Sequence, residues 1–296
     1  MRETLRNLIS KTLFFEYSLP NEKIKDKIKI SMYSDDCFSY SSDSDLSELI
    51  YQSILDYSYN EFEITDKDLS ILLSKALYNK IKYKEYQDEL TKIKYGFYGE
   101  VLLYSMLYSF YNAKPIISRG YFYNPLENSE TKGYDSYHLI ENEDKIELWF
   151  GEVKFRDTLE SGAKSAIEGL EKAFTDTYLS NNIIAMDNYK NNFNIQGTKI
   201  EKILNEWDGT PINIIEQVKK HNMILVYPIL LIFPDNSTNY DEKIKSAINK
   251  INEKFSLKEY SLSVPYKLFF ILLPVSEVKK IKKEVIEWIE SSKPRI

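Results

Sequence analysis

Two uninterrupted apolar runs, MILVYPILLIF (223–233) and YKLFFILLPV (266–275), interrupt a chain that elsewhere alternates polar and apolar positions. Runs of this length without polar alternation predict strands covered on both faces, and each is followed by a segment with the apolar spacing of an amphipathic helix. Upstream, helical spacing predicts helices near 45–58, 66–81 and 94–112. Ser44 or Asp45, closing the polar stretch SYSSDSDLSE, is the expected cap of the first, and Thr65 with Asp68 forms a capping pair for the second. The third, KYGFYGEVLLYSMLYSFYNA, is apolar nearly all round and therefore buried, with Glu100 inside it and Pro115 as its stop. A strand is expected at PIISRGYFY (115–123), then a polar loop, NPLENSETKG, and a hairpin of Tyr134–Ile140 and Ile146–Phe155 about the turn ENEDK. A helix at about 158–180, an irregular Asn-rich stretch at 181–198 and a helix near 199–207 ending at DGTP complete the pattern.

Residues 1–43 are poorly periodic, and no internal repeat or convincing linker divides the chain. The expected organisation is a mostly helical N-terminal part, 1–90, ahead of an α/β domain, 91–296, whose mixed central sheet is flanked by helices. At 296 residues and 43% hydrophobic content the chain supports a sizeable core. Lys and Arg total 39 against 45 Asp and Glu, a net charge of −6, which argues against coating nucleic acid with the whole surface and leaves room for a local groove. The 24 tyrosines read as the product of an AT-rich coding sequence rather than a stacking platform. One cysteine, Cys37, and two histidines, His138 and His221, exclude a disulfide framework or a Cys/His zinc site within the chain, so any metal must sit on carboxylates. The N-terminal TLFF is too short for a signal peptide and no run reaches a membrane span, so a cytoplasmic protein without a membrane partner is expected.

The chemistry concentrates in the hairpin. Its second strand, IELWFGEVKF, places Glu152 and Lys154 on one face with Ile146, Leu148 and Phe150, while Trp149, Val153 and Phe155 lie on the other. Charges in so apolar a strand are costly unless paired or metal-bound. The same tripeptide at Glu277-Val278-Lys279 is a control: it opens the last helix, whose apolar face runs through Val278, Ile281, Val285 and Ile289, so its charges point to water. Asp135, on the adjoining strand, completes a pair of carboxylates able to share a hard cation such as Mg²⁺, with Lys154 placed to orient water or neutralise a phosphoryl group. On spacing alone a structural ion pair with Asp135 capping a turn explains these residues equally well.

The order of elements (helix with Glu100, strand, hairpin with Asp135 and Glu152-Val153-Lys154, helix, strand) resembles the restriction-endonuclease-like core of the PD-(D/E)XK nuclease superfamily, with Tyr134 where that motif has proline. More narrowly, YGEVLLYSMLYSF, KGYDSYHL, LWFGEVKF, YPILLIF and LFFILLPV, in that order across 98–275, look like the HamA family, nuclease effectors of the Hachiman anti-phage defence system. That resemblance implies a metal-dependent DNA nuclease using Mg²⁺, or Mn²⁺ in its place. Asp135 and Glu152 would be metal ligands, the Val153 carbonyl a further ligand, Lys154 catalytic, and Glu100 the residue completing the acidic set. It also implies control by a HamB-type helicase partner. The competing reading is a non-catalytic adaptor that docks a helicase or DNA. Of the remaining candidates, His138 reads as a packed histidine, Lys164 with Glu168 and the lysines 279–283 as solvated helix faces, and Cys37 as inert.

Overall fold

The computed structural model describes every residue except 25–30, 32, 66, 117–122, 125–128, 131–132, 189, 191–194, 208–211, 256–259 and 292–296. The chain opens with α1 (Glu3–Thr12), β1 (Leu13–Ser18), β2 (Asp36–Tyr40), α2 (Asp43–Ser58), α3 (Glu61–Ile64) and α4 (Leu69–Lys75), which runs on into a π-helical turn, Ala76–Ile81. After α5 (Glu89–Lys92) and α6 (Phe97–Phe110) come β3 (Lys114–Pro115), β4 (Tyr123–Asn124), β5 (Ser129–Glu130), β6 (Ser136–Glu141) and β7 (Ile146–Phe155). The remainder is α7 (Leu159–Ala173), α8 (Asp176–Asn188), α9 (Lys199–Glu206), α10 (Ile214–Lys220), β8 (Met223–Pro234), α11 (Tyr240–Lys254), β9 (Tyr266–Val275) and α12 (Val278–Ser291).

Seven strands form one mixed sheet in the order β1-β2-β9-β8-β7-β6-β3. The centre is parallel, β7 with β8 and β8 with β9, while β6 joins β7 as an antiparallel hairpin. The expected α/β class with helices flanking a mixed sheet is what the chain adopts. Side-chain alternation along the strands sorts the interior into two cores. Ile146, Leu148 and Phe150 of β7 bury against α7 to α11, whereas Trp149, Val153 and Phe155 bury against α1, α2, α6 and α12. Both faces of β8 and β9 are thus covered, which is why their sequences carry no polar alternation; each fully buried aliphatic side chain there contributes on the order of 1.5–3 kcal/mol.

Several local expectations shift. Residues 1–43 supply α1 and two strands, and β2 adds to the sheet parallel to β9, so the mostly helical N-terminal part also contributes an edge of the sheet. The cap of α2 is Ser42, whose Oγ accepts from the Asp45 N–H at 3.1 Å while the Asp45 carboxylate accepts from the Ser42 hydroxyl at 2.7 Å. Asp68 is the cap of the next helix, accepting from the Ser70 and Ile71 N–H groups. Asn112, in the left-handed region at φ 54°, ends α6 before the proline is reached. The single helix expected at 158–180 is broken at Phe174 and Thr175, where the Thr175 hydroxyl accepts from the Tyr178 N–H at 3.1 Å and restarts the chain as α8 through the Asn-rich stretch. Most of the strand expected at 115–123 lies outside the described residues, and Tyr123–Asn124 pairs instead with Ser129–Glu130 in a separate two-stranded ribbon.

Candidate active site

Register places the hairpin residues. The paired ladder ends at Ser136 opposite Gly151, and Asp135 comes just before it, at the mouth of the hairpin. The junction is fixed by backbone: the Asp135 N–H donates to the Gly151 carbonyl at 2.9 Å, and the Val153 N–H donates to Asp135 Oδ2 at 2.9 Å. Asp135 therefore closes the ladder with its side chain, and one of its carboxylate oxygens lies at the strand that carries Glu152. Lys154 Nζ is ion-paired with Glu152 Oε1, with the two side chains 15% and 19% exposed. Behind Lys154, Gly162 of α7 brings its helix close: a Cβ there would stand 3.6 Å from the Lys154 Cβ.

Tyrosines line this junction. Tyr134, Tyr178 and Tyr227 form a cluster, with the Tyr134 ring 5.0 Å from Tyr178 and 5.8 Å from Tyr227. Burial, and then the negative charge of Glu152 and Asp135, pushes the Tyr178 phenol up to about 12 and the Tyr227 phenol well above its ordinary value. Both phenols feel both carboxylates, an electrostatic sign that the two acids share one neighbourhood, and at neutral pH both are hydroxyl donors and not bases. Tyr137 donates to Asn182 Oδ1 at 2.5 Å and accepts from the Tyr134 N–H at 3.0 Å, tying α8 to the loop that carries Asp135. Gly133 and Gly151 serve this packing. A Cβ on Gly133 would overlap the Tyr137 hydroxyl, and one on Gly151 would sit 2.9 Å from Ser136 Oγ and 3.0 Å from Pro228 Cγ. Nothing in the sequence pattern singled out Tyr178 or Tyr227; the one available sign was the Tyr-Pro break inside the run that became β8.

Glu100 comes from a different element. It lies in the first turn of α6, which covers the Val153 and Phe155 face of β7, and its Oε2 accepts from the Tyr57 hydroxyl at 2.5 Å. Among the described residues no group of three or more His, Cys, Asp or Glu side chains is placed to hold a metal ion. Two carboxylates and a neighbouring main-chain carbonyl are nonetheless hard oxygen donors of the kind Mg²⁺ takes when it keeps part of its water shell. Glu147, at the other end of β7, shows the contrasting case of a charge with a purely structural explanation. Burial alone would raise its carboxyl, but hydrogen bonds from Lys145, the Trp149 Nε1–H at 3.0 Å and Lys267 at 3.1 Å outweigh it and hold the group below the ordinary range.

His138 faces away from the pair, buried against the Tyr104 ring with centroids 5.3 Å apart. Burial pushes its imidazole down to about 3, with the Tyr104 backbone offsetting only part of that effect, so the ring is neutral at physiological pH and remote from the carboxylates. Cys37 is fully buried and burial pushes its thiol up, so it carries no thiolate chemistry. Lys164 and Glu168 form a loose, exposed pair at 3.8 Å, a solvated face. Among the described residues no helix is long and apolar enough to cross a membrane.

No curated protein matches the chain. The family model of HamA matches residues 9–289, a span that includes most of both cores and every hairpin residue described above. That match covers far more than half of the sequence, and the chain therefore belongs to the HamA family, as a Hachiman defence-associated protein.

Proposed function

We propose that this protein is the metal-dependent nuclease of its defence system, hydrolysing phosphodiester bonds of DNA under the control of a helicase partner. The observation that supports the reading is the Asp135 carboxylate accepting from the Val153 N–H, between Glu152 and Lys154 in sequence, with the Lys154 ammonium on the Glu152 carboxylate. In this reading Asp135 and Glu152 hold one Mg²⁺, or Mn²⁺, and the Val153 carbonyl adds a ligand. Glu100 is a candidate supporting ligand in the same reading. A divalent cation held there supplies Lewis acidity towards the phosphodiester.

The protein's own groups do the rest. The Asp135 bond to the Val153 N–H fixes one carboxylate against β7, so the site is organised before substrate arrives. Lys154, held over the strand end by Glu152, directs its remaining N–H groups at a phosphoryl oxygen and stabilises the charge that builds there. The protonated phenol of Tyr178, partly exposed at the site's edge, donates to the same charge or to the leaving strand. The net charge of −6 fits a nuclease that is loaded onto DNA by a motor and not by its own surface.

The test is incubation of supercoiled plasmid with the purified protein, with and without the helicase and ATP, in Mg²⁺ and in EDTA. Mg²⁺-dependent nicking or linearisation in the presence of the partner is the expected result. Intact plasmid under every condition, together with a stable complex with the helicase, would establish the adaptor reading instead.

A further inference from the structure

A second cluster of charge lies at the C-terminal end of β7. There a cleft of about 170 Å³ opens between α6, α12 and the segment after α5, bordered by Lys94, Gly96, Gly99, Arg156, Asp157 and Lys282, with the stem of Arg156 lying beside Lys154 against Gly162. That is room for several waters, or for one tetrahedral oxyanion with part of its shell. Lys282 does not belong to the solvated face that its neighbours Lys279 and Lys283 form. It is 7% exposed, its Nζ donates to the Phe155 carbonyl at 3.0 Å and stands 4.8 Å from the Phe155 ring centroid and 5.6 Å from that of Tyr98.

An ammonium has three N–H donors, and one carbonyl uses a single one of them. Among the described residues neither Lys282, Arg156 nor Lys94 has a carboxylate within 4.0 Å, and the nearby Asp157 is engaged by Lys279 at 3.5 Å. Burial lowers the Lys282 amine to about 8; the charge of Asp157 works the other way, and the neighbouring Arg156 lowers it further. Lys282 and Arg156 have one nearby carboxylate, Asp157, which Lys279 also engages, so cations outnumber acids at the cleft and an anion entering it is favoured. Gly96 and Gly99, at the start of α6, border the cleft.

We propose that this cleft is a phosphate-binding subsite, in which Arg156, Lys94 and Lys282 grip a phosphate of the nucleic-acid strand one residue-face away from the scissile bond. Alternation along β7 provides the link. Glu152 and Lys154 project to one side and Val153 and Phe155 to the other, so a strand bent over the end of β7 meets the carboxylates and the cleft together. Assigning the phosphate to DNA rests on the nuclease reading; the affinity of the cleft for phosphate does not. Arg156 is the exposed fork suited to bidentate contact, and Lys282 the fixed charge at the base.

The experiment has two parts. Inorganic phosphate is titrated into the isotopically labelled protein, and the amide signals of Gly96 and Arg156 are followed. Saturable shifts at these amides that vanish in Arg156→Gln are expected; an equal response in wild type and variant, or shifts spread over the lysine-rich helix faces, overturns the proposal. Short oligonucleotides with a 5′-phosphate, a 3′-phosphate or hydroxyl ends are then bound in EDTA, where no cleavage occurs. Arg156→Gln is expected to weaken binding about tenfold or more, and Lys250→Gln, an exposed lysine on α11, to change it little. A loss confined to one phosphorylated end assigns a terminal monophosphate, and an equal loss for all three assigns an internal phosphodiester. Phosphate binding in the cleft with no oligonucleotide binding at all would retain the subsite and remove the nuclease reading. Lys282→Met serves as a second variant, read only where its melting profile matches wild type.

Discussion

Glu152→Gln is expected to lower Mg²⁺-dependent cleavage by about a thousandfold or more while leaving the fold intact. Glutamine retains the volume of glutamate and an oxygen to accept from Lys154, so the strand end stays packed; what it loses is the negative charge a divalent ion requires. Asp135→Asn separates the two roles of that residue in the same way. Its side-chain oxygen can still accept from the Val153 N–H, so the ladder closes normally, and the loss of activity reports the missing ligand and not a loosened hairpin. Lys154→Met is expected to lower cleavage comparably, with little change in the binding of metal. Single-turnover cleavage rates with matched thermal melts and metal titrations read all three. Equal rates in Glu152→Gln and wild type would remove the residue from the mechanism.

The second large effect concerns stability. His138 has an imidazole lowered to about 3 in the folded chain, against about 6.5 when unfolded. Below pH 6.5 the unfolded chain takes up a proton that the folded chain refuses, so stability is lost as pH falls from 6.5 towards 3, at up to about 1.4 kcal/mol per pH unit. By pH 4.5 that amounts to about 2.5 kcal/mol. His138→Leu fills similar space beside Tyr104 without a titrating group. Urea unfolding at pH 7 and pH 4.5 is expected to show the variant losing about 2.5 kcal/mol less than wild type over that interval. The same loss in both would mean that the buried imidazole is protonated without penalty. Cleavage at neutral pH is expected to survive the substitution, since the ring faces the opposite core from the carboxylates.

What the sequence discloses follows physical range. The hairpin, β8 and β9 were legible because their side-chain pattern is set by layers on both faces, and the alternation Glu152, Val153, Lys154 carried the site's sidedness directly. β1 and β2 were not: one is an edge strand with most of its side chains exposed, and the other pairs in parallel with a strand more than two hundred residues away. α8 was hidden by its asparagines, poor helix formers whose placement here is decided by tertiary bonds such as Tyr137 to Asn182. Lys282 reads as one more lysine in a charged helix, and only the packing of Phe155 and Tyr98 around it reveals a buried cation. Tyr178 and Tyr227 were lost among 24 tyrosines, because their relation to Asp135 and Glu152 exists only after the chain has folded.

The central claim is that two carboxylates from neighbouring strands grip one ion. Anomalous diffraction from crystals grown with Mn²⁺ tests it most directly. The account predicts one strong peak bridged by oxygens of Asp135 and Glu152, at the roughly 2.0–2.2 Å expected for a small divalent cation, and its disappearance in Asp135→Asn. A fully ordered hairpin with no peak between those side chains, or with their oxygens directed to separate partners while Mn²⁺ binds elsewhere, would contradict it.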